Sequence, residues 1–291
     1  MNEPVCVAST GCMLGEGPLW SPSEQLLWWV DIRRAKLHRY NPATENTRRY
    51  DLPIRASAIA LHHGGFIMVG DREGGLYDPS TEAYERKFVL EDEPVSVRTN
   101  DGGAAPDGSF WFGVMDDSES EVCGRYYRVA PDFSVSQLKL PPVMVTNTFR
   151  FSPDNQIFYT CDSAEQEIFA HDYDAATGAL TDRRVFATTD DGGGYPDGSA
   201  VDAEGYLWNA QWDAARIVRY APDGRIDRIV NMPVARPTSC AFGGKGLGTL
   251  FITTARVGLS EDALEEQPFA GGLFAMNVDT PGAPQRVFGD A

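Results

Sequence analysis

Four oxygen-bearing side chains, Glu16, Asn100, Asn147 and Asp197, occupy one position of a recurring pattern, each four residues before an apolar anchor. The two other copies of the pattern place Ala56 and Thr238 there. Carboxylates and amides brought from separate segments onto one point repel, or go unsatisfied, unless a cation or ordered water lies between them. Oxygen-only donors suit hard cations such as Ca²⁺, Mg²⁺ or Mn²⁺, and Zn²⁺ also accepts carboxylates. Taken singly, each residue would be read as a turn or strand cap, a common post for Asn and Asp. Their shared register turns four such posts into a cation-binding set. Asp197 can hold and deprotonate a water at the edge of such a cation, which makes it the candidate general base.

The pattern itself dictates the elements. Its anchors are Trp20, Ala60, Ala104, Phe151, Val201 and Phe242, which stand 40, 44, 47, 50 and 41 residues apart. Each opens a turn and a short run such as Leu27-Trp-Trp-Val, Phe66-Ile-Met-Val or Phe151-Ser-Pro-Asp-Asn-Gln-Ile-Phe-Tyr. A further strand-like run follows in every unit, as in Leu37-His-Arg-Tyr-Asn-Pro and Arg216-Ile-Val-Arg-Tyr-Ala-Pro. Alternating aromatic and β-branched residues closed by Asn/Asp-Pro and Asp-Gly are strand and turn signals. No stretch sustains a 3.6-residue apolar period, so helices should be few. Repeats of about 40–50 residues with about four strands each are propeller blades. The expectation is an all-β, six-bladed β-propeller spanning 1–291 as one domain, with the segment near Val5–Ser9 closing the ring against the last blade. The sixth repeat aligns least cleanly, because Gly246-Leu-Gly looks inserted. Equivalent positions of the blades then form a ring about the central channel, which is where the four oxygen donors would meet.

Composition narrows the partners. The chain carries a formal net charge of −17, spread along its length, which argues against nucleic acid or anionic membranes. No apolar run reaches the roughly 18 residues of a membrane span, and the start lacks the basic and apolar regions of a signal peptide, so a cytoplasmic protein is expected. The five cysteines, Cys6, Cys12, Cys123, Cys161 and Cys240, form no C-x-x-C pair, and the odd count suits a reduced compartment. The four histidines fit no zinc-type spacing, so neither set is assigned a role. No Gly-x-Ser-x-Gly elbow occurs, and Gly192–Gly194 reads as a loop rather than a phosphate cradle.

Leu14-Gly-Glu-Gly-Pro-Leu-Trp, Arg98-Thr-Asn-Asp-Gly, Thr146-Asn-Thr-Phe-Arg-Phe-Ser-Pro-Asp and Pro196-Asp-Gly-Ser-Ala-Val-Asp-Ala-Glu-Gly, in that order at blade spacing, resemble the senescence marker protein/gluconolactonase family of regucalcin-like propellers. The likeness runs over nearly the whole chain. It implies a sugar-acid lactonase with one divalent metal ion (Ca, Zn, Mn, Mg or Fe) held by Glu16, Asn147 and Asp197. It also implies that Arg98 and Asn100 bind the substrate, a small-molecule sugar lactone. Two departures stand out: Thr148 where the family has glycine, and an acidic loop, Asp116–Glu121, in the region where some members use an acidic side chain.

The guanidinium fork of Arg98 suits hydroxyl and carbonyl oxygens, and the amide of Asn100 both donates and accepts. Without the resemblance, Arg98 would be read as a surface ion pair, with Glu91 or Asp92 as partner. Trp208, Trp212, Phe149 and Tyr195 lie near the ligand segments and could wall the pocket, but aromatics beside strands more often belong to the core, so they are left out of the site. Two other functions fit the same scaffold: a non-catalytic calcium-binding or interaction propeller, and a hydrolase of other small esters or phosphotriesters.

Overall fold

The computed structural model describes residues 3–190 and 194–290. Their strands form six four-stranded antiparallel sheets, the six blades of a β-propeller. Blades one to five each take four consecutive strands, beginning at Gly15, Ala56, Val97, Thr146 and Tyr195. The sixth is composite: Pro237–Gly243, Thr249–Thr254 and Leu273–Asn277 are completed by Val5–Ala8 from the other end of the chain. Val5 pairs with Ala275 and Ala8 with Leu273, so the ring closes where the sequence predicts. Closure leaves no long unpaired edge at the seam. The only α-helix among the described residues is Glu261–Glu266, capped by the Ser260 side chain accepting from Ala263 N–H. The Gly246 irregularity is a short 3₁₀ turn, Lys245–Leu247, with Gly246 at φ +65°. No helix is long and apolar enough to cross a membrane. Apart from Gly194, the expected glycine loop lies outside the described residues.

The core lies between blades, and an aromatic pair occupies every seam. Trp28 meets Phe66 between blades one and two (ring centroids 5.1 Å apart), Phe88 meets Phe112 at the next seam (6.1 Å), and Trp111 meets Phe151 at the third (5.2 Å). Phe186–Tyr220 (6.1 Å), Trp208–Phe242 (6.1 Å) and Trp20–Phe251 (5.9 Å) complete the circuit. Trp20, Phe151 and Phe242 are themselves repeat anchors: the residues that announce the blades also glue them, each pair adding roughly 0.5–1.5 kcal/mol beyond its buried area.

One local feature recurs in all six innermost strands. The pairing register slips at Glu16/Leu19, Ala56/Ala58, Thr99/Gly102, Asn147/Arg150, Pro196/Ser199 and Pro237/Ser239. Each slip is a β-bulge at the ring position inferred from the repeat. A bulge bends the strand and re-aims a side chain that would otherwise follow the pleat.

Candidate functional site

Glu16, Arg98, Asn100, Asn147 and Asp197 all line one cavity of about 500 Å³ at one end of the central channel. The residues that follow the ring positions, Gly17–Leu19, Gly102–Ala104 and Phe149–Phe151 among them, line a far smaller cleft at the other end. Arg150 lines that cleft, its Nε donating to Ser199 O (2.6 Å) and its Nη1 to Phe149 O (2.8 Å) and Gly102 O (3.2 Å).

Glu16, Asn147 and Asp197 are all buried. Among the described residues neither Glu16 nor Asp197 has a cationic side chain within ion-pair distance; Glu16 accepts only the Gly17 N–H, at 3.1 Å. Burial, and then the charge of Asp101, push the Glu16 carboxyl up to about 8. Burial also holds Asp197 well above the usual carboxylate range, with Glu16 and Asp101 adding to it. Arg98 and Arg150 offset only part of this at Glu16, and two buried carboxyls that cling to protons are the environment a divalent cation would relieve. The donor set, two carboxylates and the Asn147 amide oxygen, therefore fits a hard or borderline cation.

Asn147 is oriented from both sides. Its Nδ2 donates to Ser163 Oγ (2.9 Å), and its Oδ1 accepts from Asn100 Nδ2 (3.0 Å) while keeping a second lone pair. Asn100 Nδ2 also donates to Thr146 O (2.8 Å), and Asn100 Oδ1 accepts from Arg98 Nη1 (2.7 Å). Both amide donors of Asn100 are thus engaged, one by Asn147 and one by the Thr146 carbonyl, and only its oxygen retains capacity for a ligand.

Arg98 is buried, not the surface residue of the alternative reading, and its partner is neither Glu91 nor Asp92. Its Nε donates to Asp117 (2.8 Å) and its Nη1 to Thr99 O (2.9 Å). Asp117 also receives Arg55 (2.8 Å) and Arg33 (3.3 Å). The acidic loop divides its work: Asp116 caps the turn through Ser118 and Ser120, Asp117 holds the arginines, and Glu119 lines the cavity.

Thr148 stands at φ +60°, the conformation of its blade-one counterpart Gly17 (φ +55°), which explains a glycine preference at this position. A β-branched residue is rarely found there, and hydrogen bonds hold it. Its N–H donates to Asp101 Oδ2 (2.9 Å), its hydroxyl donates to Asp197 O (2.7 Å), and Ser199 Oγ lies 2.9 Å away. Asp101, buried beside Glu16 and Asp197, is the residue that sequence reasoning passed over, although it sits inside a quoted motif. Of the four aromatics, Trp208 and Phe149 are core as expected, whereas Tyr195 and Trp212 line the cavity. Arg236 lies over the Trp212 ring, 4.7 Å from its centroid, and pairs with Asp213.

Known proteins share this chain's sequence and shape. L-arabinolactonase of Azospirillum brasilense is 39% identical over 277 residues, 94% of this chain and 91% of that one. The 6-deoxy-6-sulfogluconolactonase of Pseudomonas putida is 35% identical over 295 residues, 99% of each. The crystal structure of a calcium-binding protein, regucalcin, from Agrobacterium tumefaciens strain C58 superposes with a TM-score of 0.92 at 30% identity, covering 97% of this chain and 96% of its own. Residues 14–256 match the SMP-30/Gluconolactonase/LRE-like region, and the chain belongs to that family.

Proposed function

We propose that this protein is a metal-dependent lactonase that opens a five- or six-carbon aldonolactone to the free aldonic acid. Glu16, Asn147 and Asp197 hold one divalent ion, and Arg98 and Asn100 face the substrate. The observation that carries this reading is the convergence, in one polar cavity, of two buried carboxyls with no cationic side chain within ion-pair distance among the described residues. The lactonase names of the two relatives support a sugar lactone as substrate.

A lactone is an ester, so its hydrolysis needs a polarised carbonyl, an activated water and stabilisation of the tetrahedral oxyanion. A bound divalent ion supplies Lewis acidity for the carbonyl and lowers the pKa of water. Asp197 is assigned as the base that takes the proton from the attacking water, because a carboxylate at the edge of a bound ion can also hold that water. The Thr148 hydroxyl and Asn209 Nδ2 (2.9 Å) both bond to Asp197 O, which fixes the backbone from which the carboxylate acts. Arg98 has Nε and Nη1 engaged, which leaves Nη2 for a hydroxyl or carbonyl oxygen. Asn100 keeps the amide of Asn147 turned inward, and Tyr195 and Trp212 give the sugar ring apolar walls.

The test is hydrolysis of a panel of five- and six-carbon aldonolactones with several divalent metals, corrected for spontaneous opening. Chelation should abolish turnover and a divalent cation restore it. Asp197→Asn should stay folded and lose roughly 10²- to 10⁴-fold in rate even at saturating metal. Wild-type rates for that variant would move the base elsewhere. A wild type that opens no lactone faster than buffer would favour a non-catalytic calcium-binding propeller.

A further inference from the structure

We propose that Cys12, Asp31 and His38 form a second metal site, for a cation of the Zn²⁺ class, that latches the ring-closing segment to blade one. Their ligand atoms all lie within 4.8 Å of one another, and all three residues are buried. Cys12 lies on the link between the closing strand Val5–Ala8 and the first innermost strand. Asp31 ends the second strand of blade one, Leu26–Asp31, and His38 lies in the third, Lys36–Asn41. An ion bound by all three would tie the seam of the propeller to its first blade.

The geometry suits tetrahedral coordination. Cys12 Sγ and His38 Nε2 are 3.6 Å apart. Around an ion with S at about 2.3 Å and N at about 2.0–2.1 Å, tetrahedral angles set these two atoms roughly 3.6 Å apart. The surroundings orient each donor. Asp31 Oδ1 accepts Leu14 N–H (3.2 Å) and Oδ2 accepts Met13 N–H (3.0 Å), and each oxygen keeps a lone pair. Exposed Arg34 approaches Oδ2 at 3.6 Å. The His38 ring stacks on Trp29, with centroids 5.0 Å apart. Thr10 Oγ1 lies 3.4 Å from the sulfur and donates to Gly271 O, which also accepts Cys12 N–H.

Blade four shows that the cap alone does not call for the other two residues. There Asp162 accepts Met144 and Val145 N–H (3.0 and 3.1 Å), the bonds that Asp31 makes, and Phe169 holds the register position of His38. Cys12 and His38 are additions to a repeated carboxylate cap. Burial pushes the Cys12 thiol up to about 11 and the His38 imidazolium down to about 4. Near neutral pH the imidazole is therefore unprotonated and ready to bind. The thiol binds by losing its proton: Cys–SH and M²⁺ give a Cys–S–M bond and H⁺.

Full-length protein produced in Co²⁺-supplemented medium tests this through the near-ultraviolet thiolate-to-Co²⁺ charge-transfer band. The band should be present in the wild type, unchanged in Glu16→Gln, and lost in His38→Gln, which retains the sulfur. A wild type without the band, or a band that persists in His38→Gln, overturns the proposal. Should the variant not fold, zinc content decides instead. Wild type from zinc-supplemented medium should hold one equivalent more than Cys12→Ser, and a wild-type equivalence no greater than the central site alone accounts for overturns it.

Discussion

Glu16→Gln should stabilise the metal-free protein at neutral pH and destabilise the metal-loaded one. In the metal-free fold, burial and the neighbouring Asp101 charge raise Glu16 from its ordinary 4.5 to about 8. The native state then binds this proton more tightly than the unfolded chain does. The Glu16 contribution is therefore most favourable below pH 4.5, weakens as pH rises, and levels off above about 8. At about 1.4 kcal/mol per unit, the two units from pH 5 to pH 7 cost roughly 3 kcal/mol. Asp197, raised for the same reasons, acts in the same direction. Glutamine carries no such penalty. The assay is denaturant unfolding of chelator-treated wild type and Glu16→Gln at pH 5, 6, 7 and 8. The stability difference should be small at pH 5 and reach roughly 3 kcal/mol in favour of the variant at pH 7. With saturating divalent metal the sign reverses, because the variant has lost a ligand. A metal-free difference that does not change with pH would refute the account of Glu16 as an unneutralised buried carboxyl.

Other perturbations separate the roles of neighbouring residues. Thr148→Gly relieves about 1–2 kcal/mol of left-handed strain but loses two hydroxyl hydrogen bonds and adds unfolded-state entropy, for a net loss of about 1 kcal/mol by denaturant unfolding. Thr148→Ser, which keeps the hydroxyl, should lose less, and a stabilised glycine variant would show that strain outweighs the bonds. Asp101→Asn removes one of the charges that raise Glu16 and Asp197, so unfolding of the metal-free protein should depend less steeply on pH between 5 and 8. Arg98→Ala should raise KM for lactones while calorimetric metal affinity stays near wild type; lost metal affinity would place Arg98 in the support of Asn147 through Asn100.

The architecture was legible in the sequence because a propeller repeats. Six anchors in register name the blades, and symmetry places any repeat position on a ring around the channel. Glu16, Asn100, Asn147 and Asp197 could therefore be grouped without knowing a single contact, and Val5–Ser9 could be assigned to the seam. The periodic signal carries no information about what differs between blades. The bulge that turns Asn147 and Asp197 inward is a one-residue slip between paired strands, visible only once both strands are placed. Arg98 has Asp117 as partner, rather than the sequence-near Glu91 or Asp92, because the strand pairing brings the end of the next strand beside it. Nothing in the period marks Asp101; burial is what sets it against Glu16 and Asp197. Cys12, Asp31 and His38 match no metal spacing because they come from a linker and two different strands. Residue types and their period determined the fold and the ring of oxygen donors; side-chain encounters across seams and loops of unequal length were decided by tertiary packing, since distance in space there is unrelated to distance along the chain.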